Sequence, residues 1–285
     1  LELGMTTTIE ASVEEPGNLV LSARLFGDIV RRLPGEQVCI ASDEKNITAI
    51  TCGLSEFSIV GIPAEEYPEI PSITGETTID LPHSMLKSMI RQTIFAVADT
   101  DAKPIHTGTL FELGGGTLRL VSVDGYRLAI REEPVQANEE ASFVVPGKTL
   151  NEVTKLLSDS EEETLSLVVG RRHILFKIGN YTVISRLLEG EFLDYKAAIP
   201  AASSTEVLVN TRSFIESVER VSLLITDRLK SPVRCLFEDN EIKLSCSTSM
   251  GRANDQFEAQ ITGGNVEIGF NNRYLLDALR NAEGD

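Results

Sequence analysis

The chain of 285 residues repeats itself, and a repeat of this length constrains the fold before any single motif does. Residues 19–33 (LVLSARLFGDIVRRL) match residues 143–157 (FVVPGKTLNEVTKLL) at a constant offset of 124. Each reads as a short strand running into an amphipathic helix. Apolar positions coincide, Leu19 with Phe143, Phe26 with Leu150, Ile29 with Val153 and Leu33 with Leu157; so do the basic ones, Arg24 with Lys148 and Arg31 with Lys155. A third instance occupies residues 268–280 (IGFNNRYLLDALR), where Phe270, Leu275 and Ala278 take the apolar places and Arg273 a basic one.

A different unit alternates with this one. Residues 81–97 match residues 209–225 at an offset of 128, and both run into a loop, Lys103-Pro104-Ile105 or Ser231-Pro232-Val233. The strand Leu110-Phe111-Glu112 returns as Leu236-Phe237-Glu238, and Leu118-Arg119-Leu120 returns as Ile242-Lys243-Leu244. The intervening turns, Gly114-Gly115-Gly116 and Asp239-Asn240, use residues that tolerate positive φ and suit tight hairpins.

The two units order the chain into three copies of one module of about 125 residues. The copies span residues 1–71, 72–200 and 201–285, with proline-bearing linkers at 68–72 and 199–204. The middle copy is whole, the first is a second half only, and the last is a first half plus one helix. By the repeat length the natural protein is expected to reach about 370 residues. Within a copy both halves follow a helix-then-strands plan, so each copy is itself read as a duplicated half. The expected fold class is α+β, with antiparallel sheets and two helices per module packed on one side.

With 42% hydrophobic residues, the chain can build a core in each copy. No apolar run approaches the roughly 18 residues that span a bilayer, and residues 1–8 lack the pattern of a secretory signal. A cytoplasmic protein without a membrane partner is expected; the chain does not begin with methionine, so its natural start is expected upstream. Cys39, Cys52, Cys235 and Cys246 sit singly in strand-like runs without CxxC spacing, which suits buried or half-buried free thiols. His83, His106 and His173 lie far apart and recur with no second ligand type at metal spacing, so neither a metal nor a cofactor is expected.

A net charge of -17 argues, taken alone, against a nucleic-acid partner. The charge is unevenly placed, however. Helical windows at 23–33, 83–95, 147–157, 211–223 and 271–280 hold eleven bases against five acids. The bases are Arg24, Arg31, Arg32, Lys87, Arg91, Lys148, Lys155, Arg212, Arg220, Arg273 and Arg280. Helices standing on the inner side of an arc of repeats would present one basic surface to a phosphate backbone, with no interleaved aromatics to read bases. The acidic remainder, such as the run Ser158-Asp159-Ser160-Glu161-Glu162-Glu163, would discourage binding elsewhere.

Three segments carry a family resemblance: Val121-Ser122-Val123-Asp124-Gly125-Tyr126-Arg127-Leu128-Ala129, Phe143-Val144-Val145-Pro146-Gly147-Lys148, and Glu189-Gly190-Glu191-Phe192-Leu193-Asp194-Tyr195. Together with the threefold repeat they resemble the bacterial sliding clamp family, the β subunit of DNA polymerase III, over the whole chain. The resemblance implies a non-catalytic processivity factor. Two protomers would close head to tail into a homodimer ring around double-stranded DNA, helices inward, without sequence preference. The ring would tether the replicative polymerase subunit and meet the clamp loader and other clamp-binding-motif proteins.

By matching positions, Arg24, Lys103, Lys148 and Lys155 are expected to face DNA; Arg31, Lys87, Arg91, Arg212, Arg220, Arg273 and Arg280 join them through the repeat. The implied partner-peptide pocket comprises His106, Val123, Gly125, Tyr126, Arg127, Leu128, Leu193, Ala197 and Ala198. Leu193 stands where the family has proline, His106 where it has an aliphatic residue and Val123 where it often has threonine. The C-terminal strand and tail that complete the family's pocket are absent from the chain. The implied ring interface comprises Ile29, Leu33, Phe57 and Ile59 of the first copy and Leu223 and Leu224 of the third. Two rivals remain. One is a hydrolase using Asp99, Asp101 and His106, for which nucleophile elbow, P-loop and zinc spacing are all lacking; the other is a peptide-binding scaffold that does not engage DNA.

Overall fold

The computed structural model describes residues 2–71, 73, 77–100, 103–137, 139–226 and 228–284; Ser72 of the first linker and Asp101 lie outside them. The chain divides into two compact units, Leu1–Ser72 and Ile73–Asp285.

In the first unit β1 (Leu3–Thr7) precedes α1 (Ala23–Val30) and the antiparallel meander β2 (Cys39–Ser42), β3 (Ile47–Cys52) and β4 (Ser55–Val60). The Ser22 hydroxyl caps α1 by accepting from the Leu25 N–H at 3.4 Å. The helix is shorter than the sequence window. Arg32 and Leu33 donate to Ile29 and Val30, tightening the last turn before Pro34, whose ring disfavours helix in the residue preceding it. The strand expected at residues 19–21 is reduced to one bridge, Val20 to Ile62.

The second unit contains the whole middle copy. Its first half is β5 (Thr77–Pro82), α2 (His83–Arg91), β6 (Gly108–Gly114), β7 (Thr117–Val123) and β8 (Leu128–Pro134). Its second half repeats the same order: β9 (Ala141–Pro146), α3 (Gly147–Leu156), β10 (Thr164–Val169), β11 (His173–Ile178) and β12 (Tyr181–Arg186). The halves exchange their leading strands. One sheet runs β8-β7-β6-β9, with Phe111 opposite Phe143 and their rings stacked at 5.4 Å; in the other, β12-β11-β10 continues into β5, with Leu165 opposite Leu81. Alternation along the strands turns Leu118, Leu120, Leu165, Leu167 and Phe176 inward, all fully buried. Leu86 and Met89 of α2 and Leu150 and Val153 of α3 complete this core, each burial stabilising by about 1.5–3 kcal/mol.

Two hydroxyl pairs lie inside it. Thr109 and Ser122 meet at 2.9 Å, and Thr149 and Ser185 at 2.6 Å, so that each buried oxygen has a partner.

After the short α4 (Tyr195–Ala198), the third copy follows with β13 (Thr205–Leu208), α5 (Thr211–Ser222), β14 (Val233–Glu238), β15 (Glu241–Thr248), β16 (Gly251–Glu258), β17 (Gln260–Gly263), β18 (Val266–Phe270) and α6 (Asn272–Asn281). Its sheet, β16-β15-β14-β18, matches β8-β7-β6-β9, while β13 pairs with β17. Asn210 and Asn271 cap α5 and α6 through their side-chain oxygens. The tight turn at Asp239 and Asn240 takes left-handed φ values of 52° and 58°, as its residue types allow.

All four cysteines are free thiols. Cys52, Cys235 and Cys246 are buried, and burial pushes the Cys235 thiol up to about 12. Cys39 departs from expectation: it lies exposed on β2, because that short strand has no buried face.

Candidate functional site

The helices bury one stripe and leave their bases outside it. On α2 the buried residues are His83, Leu86, Met89 and Ile90; on α3 they are Gly147, Thr149, Leu150 and Val153. Arg91, Lys148 and Lys155 are exposed and Lys87 is half-buried, as 3.6-residue periodicity requires. In the third copy Arg212, Arg220, Arg273 and Arg280 are exposed, as are Arg24, Arg31 and Arg32 in the first unit.

Exposure is not availability, and here the bases divide. Lys87 pairs with Asp159 of the acidic run at 2.9 Å, and Lys155 pairs with Glu152 at 2.7 Å. Arg31 and Arg32 share Asp28, Arg212 reaches Glu216 at 2.9 Å, Arg220 reaches Asp255 at 2.6 Å, and Arg280 reaches Glu219 at 2.6 Å. Arg24, Lys103 and Lys148 form no ion pair with a described residue. Paired bases must give up a carboxylate before meeting a phosphate, which lowers what each adds to an electrostatic surface.

A second feature gathers where the middle and third copies meet. Asp124 accepts from the backbone N–H groups of Tyr126 and Arg127 at 2.9 and 3.0 Å and from Arg127 Nε at 2.9 Å, closing the loop after β7. Gly125 supplies the left-handed residue this loop needs, at φ +92°. The same guanidinium donates to Asp277 of α6 at 2.6 Å and lies 4.1 Å from the Tyr274 ring centroid. Burial alone would lower the Arg127 pKa, but hydrogen bonds to Asp277 and Asp124 outweigh it and raise the value. Gln92 and Arg131 reach Glu283 at 2.9 and 3.2 Å, tying the same two copies together.

Beside this joint the segment 190–198 is fixed by Tyr195. Its hydroxyl donates to Glu112 and accepts from Arg119, whose guanidinium also reaches Glu112 and Glu132. Burial would raise the Glu112 carboxyl, yet the bonds from Tyr195 and Arg119 outweigh it and hold it below its ordinary value. Tyr195 is buried among Ile105, Leu110, Val121 and Val144, with Leu128 and Phe192 packed around them. Gly190, at φ +140°, brings the segment against Ile105.

The expected pocket residues fall on these elements, though not as one uniform lining. Val123 is buried, and Leu128 and Arg127 are half-buried. Tyr126 is 86% and Leu193 41% exposed; Gly125, Ala197 and Ala198 are exposed as well. His106 is 7% exposed and packs edge-on against Phe192 at 5.5 Å. Burial, and then the charge of Lys103, lower its pKa.

The expected ring-interface residues divide too. Leu223 is 81% exposed, Phe57 is exposed, and Leu33 and Ile59 are half-buried. Leu224 packs against the third-copy core. Ile29 is 6% exposed and sits on the buried stripe of α1, where it packs into the core of the first unit and offers little surface of its own. Sequence reasoning missed Tyr274, Asp277, Tyr195, Glu112 and Arg119. The tyrosine of the Gly190–Tyr195 turn was the one available signal, and it gave no hint of its partners. Of the rival hydrolase set, Asp99 is exposed and His106 buried, with Asp101 outside the described residues.

Repeated half-modules of one helix and four strands, carrying basic helix faces and joined across copies by the Arg127–Asp277 contact, define the fold of a DNA clamp. Family models of the DNA polymerase III beta subunit match the chain in succession: the N-terminal domain at residues 1–71, the central domain at 80–194 and the C-terminal domain at 196–285. The chain belongs to that family, the bacterial beta sliding clamps. The beta sliding clamp of Bacillus subtilis is 37% identical over 96% of this chain and 73% of its own length; that of Halalkalibacterium halodurans is 35% identical over 98% and 75%. Among solved structures, the Bacillus subtilis sliding clamp superposes with a TM-score of 0.93 at 34% identity, over 99% of this chain and 78% of that one. A sliding clamp of Pseudomonas aeruginosa bound to griselimycin gives 0.91 at 28% identity, over 99% and 77%.

Proposed function

We propose that this protein is a replicative sliding clamp and polymerase processivity factor. It acts in the cytoplasm as a non-catalytic ring of two head-to-tail copies around duplex DNA. The observation that carries this reading is the succession of three clamp domains along the chain, each with the beta subunit's own match. We assign the domains to residues 1–71, 72–200 and 201–285. A ring needs neither tight nor sequence-specific contacts, because a topological link cannot dissociate without opening. An interior of modest net charge then suffices.

Arg24, Lys103 and Lys148 are the first candidates for phosphate contact, since no carboxylate within the described residues competes for them. Arg31, Lys87, Lys155, Arg212, Arg220 and Arg280, each paired with a carboxylate, form a secondary, partly self-neutralised set, and Arg91 and Arg273 complete the basic faces. Leu33, Phe57, Ile59, Leu223 and Leu224 supply the apolar ring interface. The cleft around Val123, Leu128, Leu193, Ala197 and Ala198 takes short linear peptides of the polymerase subunit, the clamp loader and other clamp-binding proteins by burying a few anchor side chains.

The test is topological. The protein is loaded on nicked circular DNA, and the DNA is then linearised. Retention on circles with loss from linear DNA is the expected result, and equal retention on both would refute the ring.

A further inference from the structure

The proposed cleft has a feature that its apolar lining does not explain. His106 is held rigidly: its N–H donates to the Lys103 carbonyl at 2.9 Å, and its own carbonyl accepts from the Ala98 N–H at 2.8 Å. Its imidazole packs edge-on against Phe192. Neither ring nitrogen has a hydrogen-bond partner among the described residues, and neither is sealed from solvent as His83 Nε2 is. The ring therefore satisfies its polar atoms through water that reaches the cleft.

The charges around it are unequal. Lys103, on its own segment, is the charge that acts on it. The other packed elements contribute the uncharged Phe192, while Glu112 and Arg119 of the sheet and Lys196 of α4 are engaged with one another and with Tyr195. Among the described residues no carboxylate acts on the imidazole to stabilise a cation, and burial and Lys103 both favour the neutral form.

We propose that His106 is a specificity residue of this cleft and gates it by proton, admitting an aliphatic peptide anchor while neutral and rejecting it once protonated. The inference rests on the peptide-cleft reading above. The physical reason is desolvation: an apolar anchor that covers the ring removes what water still reaches its nitrogens, and an imidazolium tolerates this far less than an imidazole does. Peptide binding and protonation then compete, so the apparent affinity falls as the pH drops through the imidazole pKa, which lies below the ordinary 6.5. One competing proton sets a limiting slope of about one decade per pH unit.

Griselimycin is the probe, titrated calorimetrically against the intact protein between pH 8 and pH 5. The parent is expected to lose affinity progressively as pH falls, approaching about one decade per pH unit below the imidazole pKa. Both His106→Leu and His106→Gln are expected to bind with a flat profile, and circular dichroism confirms that each is folded. A flat parental profile, or a slope that persists in both variants, overturns the proposal. A Leu193→Arg variant tests the underlying reading separately. If it binds the probe as the parent does, the cleft assignment fails whatever His106 does.

Discussion

Replacing Asp277 by alanine removes one contact from the joint between the middle and third copies and leaves Arg127 otherwise in place. The pair is short, 2.6 Å, and its side chains are 17% and 37% exposed. A charge-assisted hydrogen bond contributes about 1.5–3 kcal/mol, but the Asp277 carboxylate is more than one-third exposed, and solvent screening reduces the coupling to about 1 kcal/mol. Arg127→Ala is expected to cost more, about 3–4 kcal/mol in sum. It also deletes the stack on Tyr274, worth about 0.5–2 kcal/mol, and leaves Asp124, whose side chain is 10% exposed, with only backbone donors. The assay is urea unfolding followed by near-UV circular dichroism of tyrosine, applied to both single variants and the double variant. The cycle isolates the Arg127–Asp277 term. A coupling of about 1 kcal/mol that shrinks in high salt is expected. A coupling below about 0.3 kcal/mol would refute the claim that this pair helps hold the two copies together.

Three further outcomes follow from the same geometry. Tyr195→Phe removes the hydroxyl that helps keep the Glu112 carboxyl below its ordinary value. A depressed carboxyl stabilises the fold above its unfolded pKa and loses that contribution as pH falls through the folded one, so the variant's deficit in urea midpoint should be larger at pH 7 than at pH 3.5. Thr109→Val strands the buried Ser122 hydroxyl and is expected to cost about 1–3 kcal/mol in thermal or urea unfolding, with Ser122→Ala in the same chain recovering part of the loss. Lys148→Gln should lower the salt slope of DNA binding by about 0.9 for one lost phosphate contact; Lys155→Gln should lower it less, because Glu152 already occupies that ammonium.

Much of the fold was legible because a repeat states each element more than once. The helices at 147–157 and 271–280 and the strands around Leu110 and Leu236 fell where the offsets placed them, since apolar periodicity survives in every copy. Cross-chain chemistry was not legible. Arg127 and Asp277 are 150 residues apart, and neither residue type signals the other. The bond of Tyr195 to Glu112 spans 83 positions in the same way. Ile29 shows a different limit. An apolar helix residue suits a core or a subunit interface equally well, and only the packed structure puts it in the core. The basic helices were visible as composition, but which ammonium and guanidinium groups remain without a carboxylate depended on where acids such as Asp159 and Asp255 are brought by folding.

The exchange of leading strands within the middle copy governs how this chain can be divided. A cut between β8 and β9 would fall at a natural seam of the duplication, yet each fragment would carry away the strand that finishes the other's sheet. Each would expose an unpaired edge of backbone donors and acceptors, together with apolar side chains such as Phe111 or Phe143 that face across the lost pairing. Such fragments are complementary by construction. The duplicated halves therefore form one cooperative body, and the smallest autonomous piece of the repeat is the full module rather than the half from which it was doubled.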